Sequence, residues 1–206
     1  MVMFLHDVHT LERQWGSFNR EPYTVSEAAS LCKRMSIRLQ PDRSVAHAAA
    51  FVFEGKKYIM YNPHHTRTDI LLNIGHEIGH FSLGHVRTGC PPFFSSPLEI
   101  RKKKERYAGI IGFLMWLPNT EICKMMHGDI LDIEEMFNYV RWKDSDVTYG
   151  DALKLCTARI SIFNAYRRIM RLKYRIGSQI PLPFRLLQRT FPFERLFRRG
   201  EYSSYY

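Results

Sequence analysis

The sequence is short of cysteine. Cys32, Cys90, Cys123 and Cys156 are its four, widely spaced and with no C-x-x-C pair. That excludes a dense disulfide framework and predicts reduced thiols in an intracellular protein. Long apolar runs are missing too, since no window approaches the roughly 18 residues of a membrane span. The first residues, MVMFLHDVHTLERQW, lack the basic start and long apolar stretch of a signal peptide. No segment repeats. These absences predict a soluble, cytoplasmic chain.

At 206 residues, 45% hydrophobic and 24% charged, the chain is long enough for one cored domain with an appendage. Its net charge of +10 is unevenly placed. Residues 167–206 hold ten Arg or Lys against Glu194 and Glu201, a net of +8. The remainder is nearly balanced, so the basicity belongs to the tail. Two units follow: a domain over 1–166 and a basic extension over 167–206.

SEAASLCKRMSIRL (26–39) has apolar residues at helical spacing behind Ser26, a candidate N-cap. FVFEGKKYIMYNP (51–63) reads as two short strands around Glu54-Gly55. Thr66 to Asp69 carries a helix-start signal, and that helix is expected to run to Gly84. RTGCPPFFSSP (87–97) is a loop. Ser96, Pro97 and Glu99 then open a helix as N-cap, first residue and third residue, ending before Pro118. Shorter helices are expected at 120–127 and 130–143, and a long one from the Thr148-x-x-Asp151 signal through Tyr174. Beyond Gly177 the chain turns rich in Pro, Arg and aromatics, a composition that predicts disorder.

The chemistry lies in DILLNIGHEIGHFSLGH (69–85). Residues four apart on a helix share a face, so His76 and His80 can aim two ring nitrogens at one point. Two neutral imidazoles so placed suit a tetrahedral Zn²⁺, and Glu77 beside them can reach a water as general base. Gly75 and Gly79 in mid-helix cost about 1 kcal/mol each against alanine, which suggests that another element approaches closely there. A catalytic zinc needs a third protein ligand. His85 falls one residue short of the H-E-x-x-H-x-x-G-x-x-H spacing, since Leu83 and Val86 occupy the key places. It remains a candidate for supporting a ligand or contacting substrate. Glu105 is the favoured third ligand, because Ala108 and Gly112 share its face and would let that helix lie close. Its rivals are Glu99, which has a capping role, and an Arg101–Glu105 pair on a solvated face.

These residues resemble the ImmA/IrrE metallo-endopeptidases over roughly 24–166. The likeness rests on the strand pair and helix leading into His76-Glu77-Ile-Gly-His80, then on ERYAGIIGFLMWLP (105–118), where Glu105, Ala108 and Pro118 match the family pattern. GDALKLCTARISIFNAY (150–166) is similar to a later family helix. The resemblance implies an α+β fold: a mainly helical zincin-like domain with a small antiparallel sheet packed on the HExxH helix. It further implies a cytoplasmic zinc endopeptidase that cuts a helix-turn-helix repressor of a mobile element or stress response. Gly109 departs from the family, which often has Asn or Asp there to orient a ligand histidine; Asn73 or Asn119 would have to replace it.

In that chemistry zinc held by His76, His80 and Glu105 activates water, with Glu77 moving the proton. His85, Tyr107 and His65 are candidates for stabilising the tetrahedral intermediate. The hairpin 51–61 can offer an edge to an extended substrate. Cys90 beside Pro91-Pro92 is a candidate thiolate block on the metal. The tail, interleaving Arg with aromatics, suits phosphate backbones, anionic lipid or an acidic partner, and would let the chain sit near DNA. The rival reading is a non-catalytic zinc-stabilised module that binds a repressor or DNA.

Overall fold

The computed structural model describes residues 2–87, 97–128 and 130–174. Among these the chain is α+β, with seven helices and two small sheets. Helix α1 (Val2–Trp15) is an addition to the elements expected from sequence. Val8, Leu11 and Trp15 recur there at helical spacing and are buried, with Trp15 meeting Phe18 edge to face at 5.0 Å.

The helix expected over 26–39 is two elements. Helix α2 (Val25–Arg34) stops early, and Ile37–Pro41 forms strand β1. Ser36 in between has a left-handed φ of 56°, which no helix tolerates, and Ile37 is buried once it pairs with the sheet. The N-cap is Thr24, not Ser26. Thr24 and Glu27 close a capping box, the Glu27 amide donating to Thr24 Oγ1 at 3.2 Å and the Thr24 amide to Glu27 Oε2 at 2.7 Å.

Strands β2 (Ala48–Phe53) and β3 (Lys56–Tyr61) form the expected hairpin. Its two-residue turn places Glu54 at φ 48° and Gly55 at φ 71°, a twist that suits adjoining strands. The sheet order is β1-β3-β2, with β1 parallel and β2 antiparallel to β3. The sheet is therefore mixed rather than antiparallel, because the third strand is built from residues whose spacing also suits a helix. Ile37, Leu39, Ala50, Val52 and Ile59 face the core, over α2 and helix α3 (Arg67–Ser82).

Helix α3 starts at N-cap Thr66, whose Oγ1 accepts from the Asp69 amide. A second acceptor comes from far away: the Thr68 amide donates to Asp144 Oδ2 at 2.7 Å, a buried bond that stabilises the positive end of the helix. Ile74 and Ile78 are fully buried, each contributing about 1.5–3 kcal/mol of apolar burial. Helix α4 (Leu98–Trp116) follows with Pro97 at its N-cap, one position later than expected; Ser96 and most of the 87–97 loop, Cys90 included, lie outside the described residues. Helix α5 (Asn119–Lys124) and helix α6 (Ile133–Lys143) flank a minimal hairpin, β4 (Met126–His127) with β5 (Ile130–Leu131). Helix α7 (Tyr149–Tyr174) begins after Thr148, as its capping signal predicts, and runs across the 166/167 boundary drawn from charge. Of the extension, residues 175–206 lie outside the described part.

Among the described residues no helix is long and apolar enough to cross a membrane. Cys32 and Cys156 are free and buried, and burial pushes their thiols up to about 12 and about 11.

Candidate metal centre

Glycine sets how near α3 and α4 can come. A Cβ at Gly75 would lie 2.8 Å from Gly112 Cα, and one at Gly79 would lie 2.9 Å from Ala108 Cα and its carbonyl. A Cβ at Gly112 would meet the Leu72 carbonyl at 2.8 Å. Any side chain larger than hydrogen would pry the helices apart. Here the sequence was informative, since the mid-helix glycines and the Ala108/Gly112 face do meet.

This contact brings three ligand types together. His76 Nε2 lies 3.0 Å from Glu105 Oε2, His80 Nε2 lies 3.4 Å from Glu105 Oε1, and the two Nε2 atoms are 2.9 Å apart. Bonds of about 2.0–2.1 Å would set tetrahedral ligand atoms about 3.3 Å apart. The donor set and its spacing therefore fit a small divalent cation, and the residues can hold a metal ion. Glu99, the rival carboxylate, is exposed and meets Lys102 at 3.4 Å.

Charge follows the same geometry. Burial would raise the Glu105 carboxyl, but hydrogen bonds from His76 and His80, and their charge, hold it far below the usual carboxylate range. Burial lowers the His76 imidazole, yet the Glu105 hydrogen bond and the Glu77 and Glu105 charges outweigh it and leave His76 above its ordinary 6.5. Glu77 is buried beside His76.

The two histidines differ in support. His80 is buried, and its Nδ1 lies 3.1 Å from His85 Nδ1. Burial, with His80 and Lys104 nearby, pushes His85 down to about 3. With neutral imidazoles, His85 Nδ1 can accept a hydrogen bond from His80 Nδ1–H. In that tautomer the His80 Nε2 lone pair would be free for a metal ion, whereas without metal a proton on Nε2 is what lets His80 donate to Glu105. His85 thus lies against His80 Nδ1 and is not one of the three residues whose ligand atoms converge. His76 has a side chain 28% exposed, and no hydrogen bond from the described residues reaches its Nδ1. Its Nδ1 instead faces Gly109, where a Cβ would stand 3.7 Å away. Asn119 does not fill that gap. Its Oδ1 accepts from Arg159 Nη2 at 2.6 Å, and its backbone N–H donates to Asn19 Oδ1 at 2.9 Å. Asn73 is buried on α3 and makes no bond to His76.

Tyr107 lies under Lys103, 5.7 Å from its ring centroid, and His65 packs edge-on against His47 at 5.3 Å ahead of α3. Sequence reasoning missed Asp144 and Arg159. The first holds the start of α3; the second, fully buried, donates to the Leu117 carbonyl at 2.6 Å and so ties down the end of α4. Both act over long separations, so no local pattern announces them.

A second group, His127, Asp132 and Glu135, also brings potential ligands together. It is more exposed and looser, with His127 Nε2 4.0 Å from Asp132 Oδ2 and 3.9 Å from Glu135 Oε2. Comparison of the chain with known families, curated proteins and solved structures returned no match, so the case for the centre rests on its geometry.

Proposed function

We propose that the chain is a zinc-dependent endopeptidase with a zincin-like domain, akin to the ImmA/IrrE enzymes, acting on a specific protein. The meeting of His76, His80 and Glu105 beside buried Glu77, across a glycine contact, supports this reading most strongly. His76 and His80, through Nε2, and Glu105, through a carboxylate oxygen, would hold the ion. Zinc so bound would polarise a scissile carbonyl and acidify water. Glu77 takes the proton of the attacking water and returns it to the departing amine nitrogen. His85 fixes the ring of His80. Strand β2, an edge strand lying against α3, can pair with an extended substrate segment and present it to the site. The substrate we infer is a helix-turn-helix repressor, a role drawn from the family likeness.

One observation favours a second reading. His76 Nδ1, opposite Gly109 and without a hydrogen bond from the described residues, is what a zinc-stabilised module that binds without cutting would tolerate. Two measurements separate the readings. Wild-type protein purified without added metal should carry about one zinc at this centre, and Glu105→Ala should lose it. Glu77→Gln should keep zinc yet abolish cleavage and the biological effect. A Glu77→Gln protein with its full effect would leave the binding module standing, and a wild type that takes up no zinc would remove both readings.

A further inference from the structure

The three-stranded sheet has a face that the core does not use. Paired residues share a side, so Phe51 with Tyr58 and Phe53 with Lys56 point away from α3, as does Arg38. Phe51 is 36% exposed and Phe53 58%. Phe51 and Tyr58 lie nearly parallel, with centroids 5.3 Å apart and planes at 9°. Arg38 reaches over Tyr58, its guanidinium 5.7 Å from the ring centroid and its Nη1 donating to the phenol oxygen at 3.3 Å.

Cations outnumber anions around this face. Arg38 and Lys56 also line a groove of about 790 Å³ that runs past the free edge of β1, where Lys33, Lys57 and Tyr61 join them. Among the described residues none of these four cations makes an ion pair. Asp42, just beyond β1, is held by Ser44, and Glu54 sits in the hairpin turn.

Flat exposed rings and unpaired lysines make different demands of a ligand. An acidic peptide would satisfy the cations and leave the rings without stacking partners. An apolar segment would do the reverse. A single nucleic-acid strand meets both demands, with bases on the rings and phosphates on the cations. The geometry points to this sheet face and its adjoining groove as a binding surface for single-stranded nucleic acid. The strand lies over Phe51, Phe53 and Tyr58, crosses the β1 edge at Arg38 and Lys56, and enters the groove at Lys33; Lys57, whose Nζ lies over the Phe81 ring at 5.8 Å, is already engaged with α3. The surface lies on the side of the sheet turned away from α3, which carries His76 and His80.

The test is fluorescence anisotropy with the full chain, titrated into a short labelled oligothymidylate and, in parallel, a DNA duplex. The double variant F51A/F53A should weaken oligothymidylate binding by about tenfold or more while duplex binding moves less than twofold. Both side chains are exposed, so zinc content and thermal midpoint should stay at wild-type values. R38A/K56A should flatten the salt dependence, the log–log slope falling by about 0.7 for each phosphate that is no longer neutralised. The proposal is overturned if F51A/F53A binds oligothymidylate within twofold of wild type, which would assign any binding to the extension. It is equally overturned if the wild type does not bind, or if polyglutamate displaces the oligonucleotide as well as unlabelled oligothymidylate does.

Discussion

Two groups in this chain hold nearly the same chemistry, and they differ in what stands behind them. His76, His80 and Glu105 come from two long helices in backbone contact, with ligand atoms 2.9–3.4 Å apart. His127, Asp132 and Glu135 come from a two-residue strand and the first turn of a helix, with His127 about 4 Å from either carboxylate. Asp132 is already occupied, its Oδ1 capping α6 by accepting from the Glu135 amide at 2.9 Å. The side chains of His127 and Glu135 are 75% and 50% exposed, so ordering them around an ion costs side-chain entropy that the helix pair has already spent. Ligand identity makes a cluster; the scaffold makes it a centre.

The comparison can be broken most sharply by removing a ligand. His80→Ala or Glu105→Ala should weaken zinc binding by more than about a hundredfold in competition with a chromophoric chelator, and His127→Ala by less than about twofold. A large loss in His127→Ala would reverse the ranking of the two groups. The scaffold itself can be tested next. Gly112→Ala places a carbon against the Leu72 carbonyl and should cost about 1–3 kcal/mol in denaturant unfolding, with zinc affinity falling alongside.

Smaller effects separate the two histidines. His85→Ala removes the partner of His80 Nδ1 and should weaken zinc by about tenfold. Gly109→Asp offers His76 Nδ1 a carboxylate where the structure has room, and should strengthen zinc by a similar factor. If Gly109→Asp left affinity unchanged, support at His76 Nδ1 would have no bearing on the site.

The smallest expected effect is on pH dependence without metal. The lowered Glu105 carboxyl adds stability above its ordinary 4.5 that is lost as pH falls through its folded value. The raised His76 imidazole adds stability below 6.5 that is lost as pH rises through its folded value. Between pH 4.5 and 6.5 both contributions are present. The depressed His85 imidazole works the other way, costing stability as pH falls below 6.5. The comparison therefore belongs in a His85→Ala background, where the melting temperature of chelator-treated protein should decline from pH 6 to pH 8.5. Zinc needs neutral imidazoles, so its stabilisation should grow over the same range. Glu105→Gln should flatten the first trend.

The parts legible in the sequence are those written in local spacing. The i, i+4 histidines, the mid-helix glycines, the small residues after Glu105 and the Thr148 cap each announced a feature that the fold contains. Strand β1 was hidden because Ile37 and Leu39 also fit a helical period, and only pairing with β3 decides between them. Helix α1 was legible in the spacing of Val8, Leu11 and Trp15, but a stretch at the start of a chain raises the question of targeting first. The Asp144 bond to the start of α3 and the Arg159 bonds to the end of α4 could not be read at all. Each joins residues tens of positions apart, and single-chain spacing holds no trace of such a pairing.

Arg159 has a consequence for how the chain is assembled. A ribosome delivers His76, His80 and Glu105 well before residue 159, so the ligands exist while the Leu117 carbonyl still waits for its donor. The buried guanidinium joins the α4–α5 corner through the Leu117 carbonyl and Asn119 Oδ1. Growth of α7 is therefore the event that locks the far end of the Glu105 helix. A nascent chain released short of Arg159 would carry every ligand and still lack the latch that keeps their helix in place.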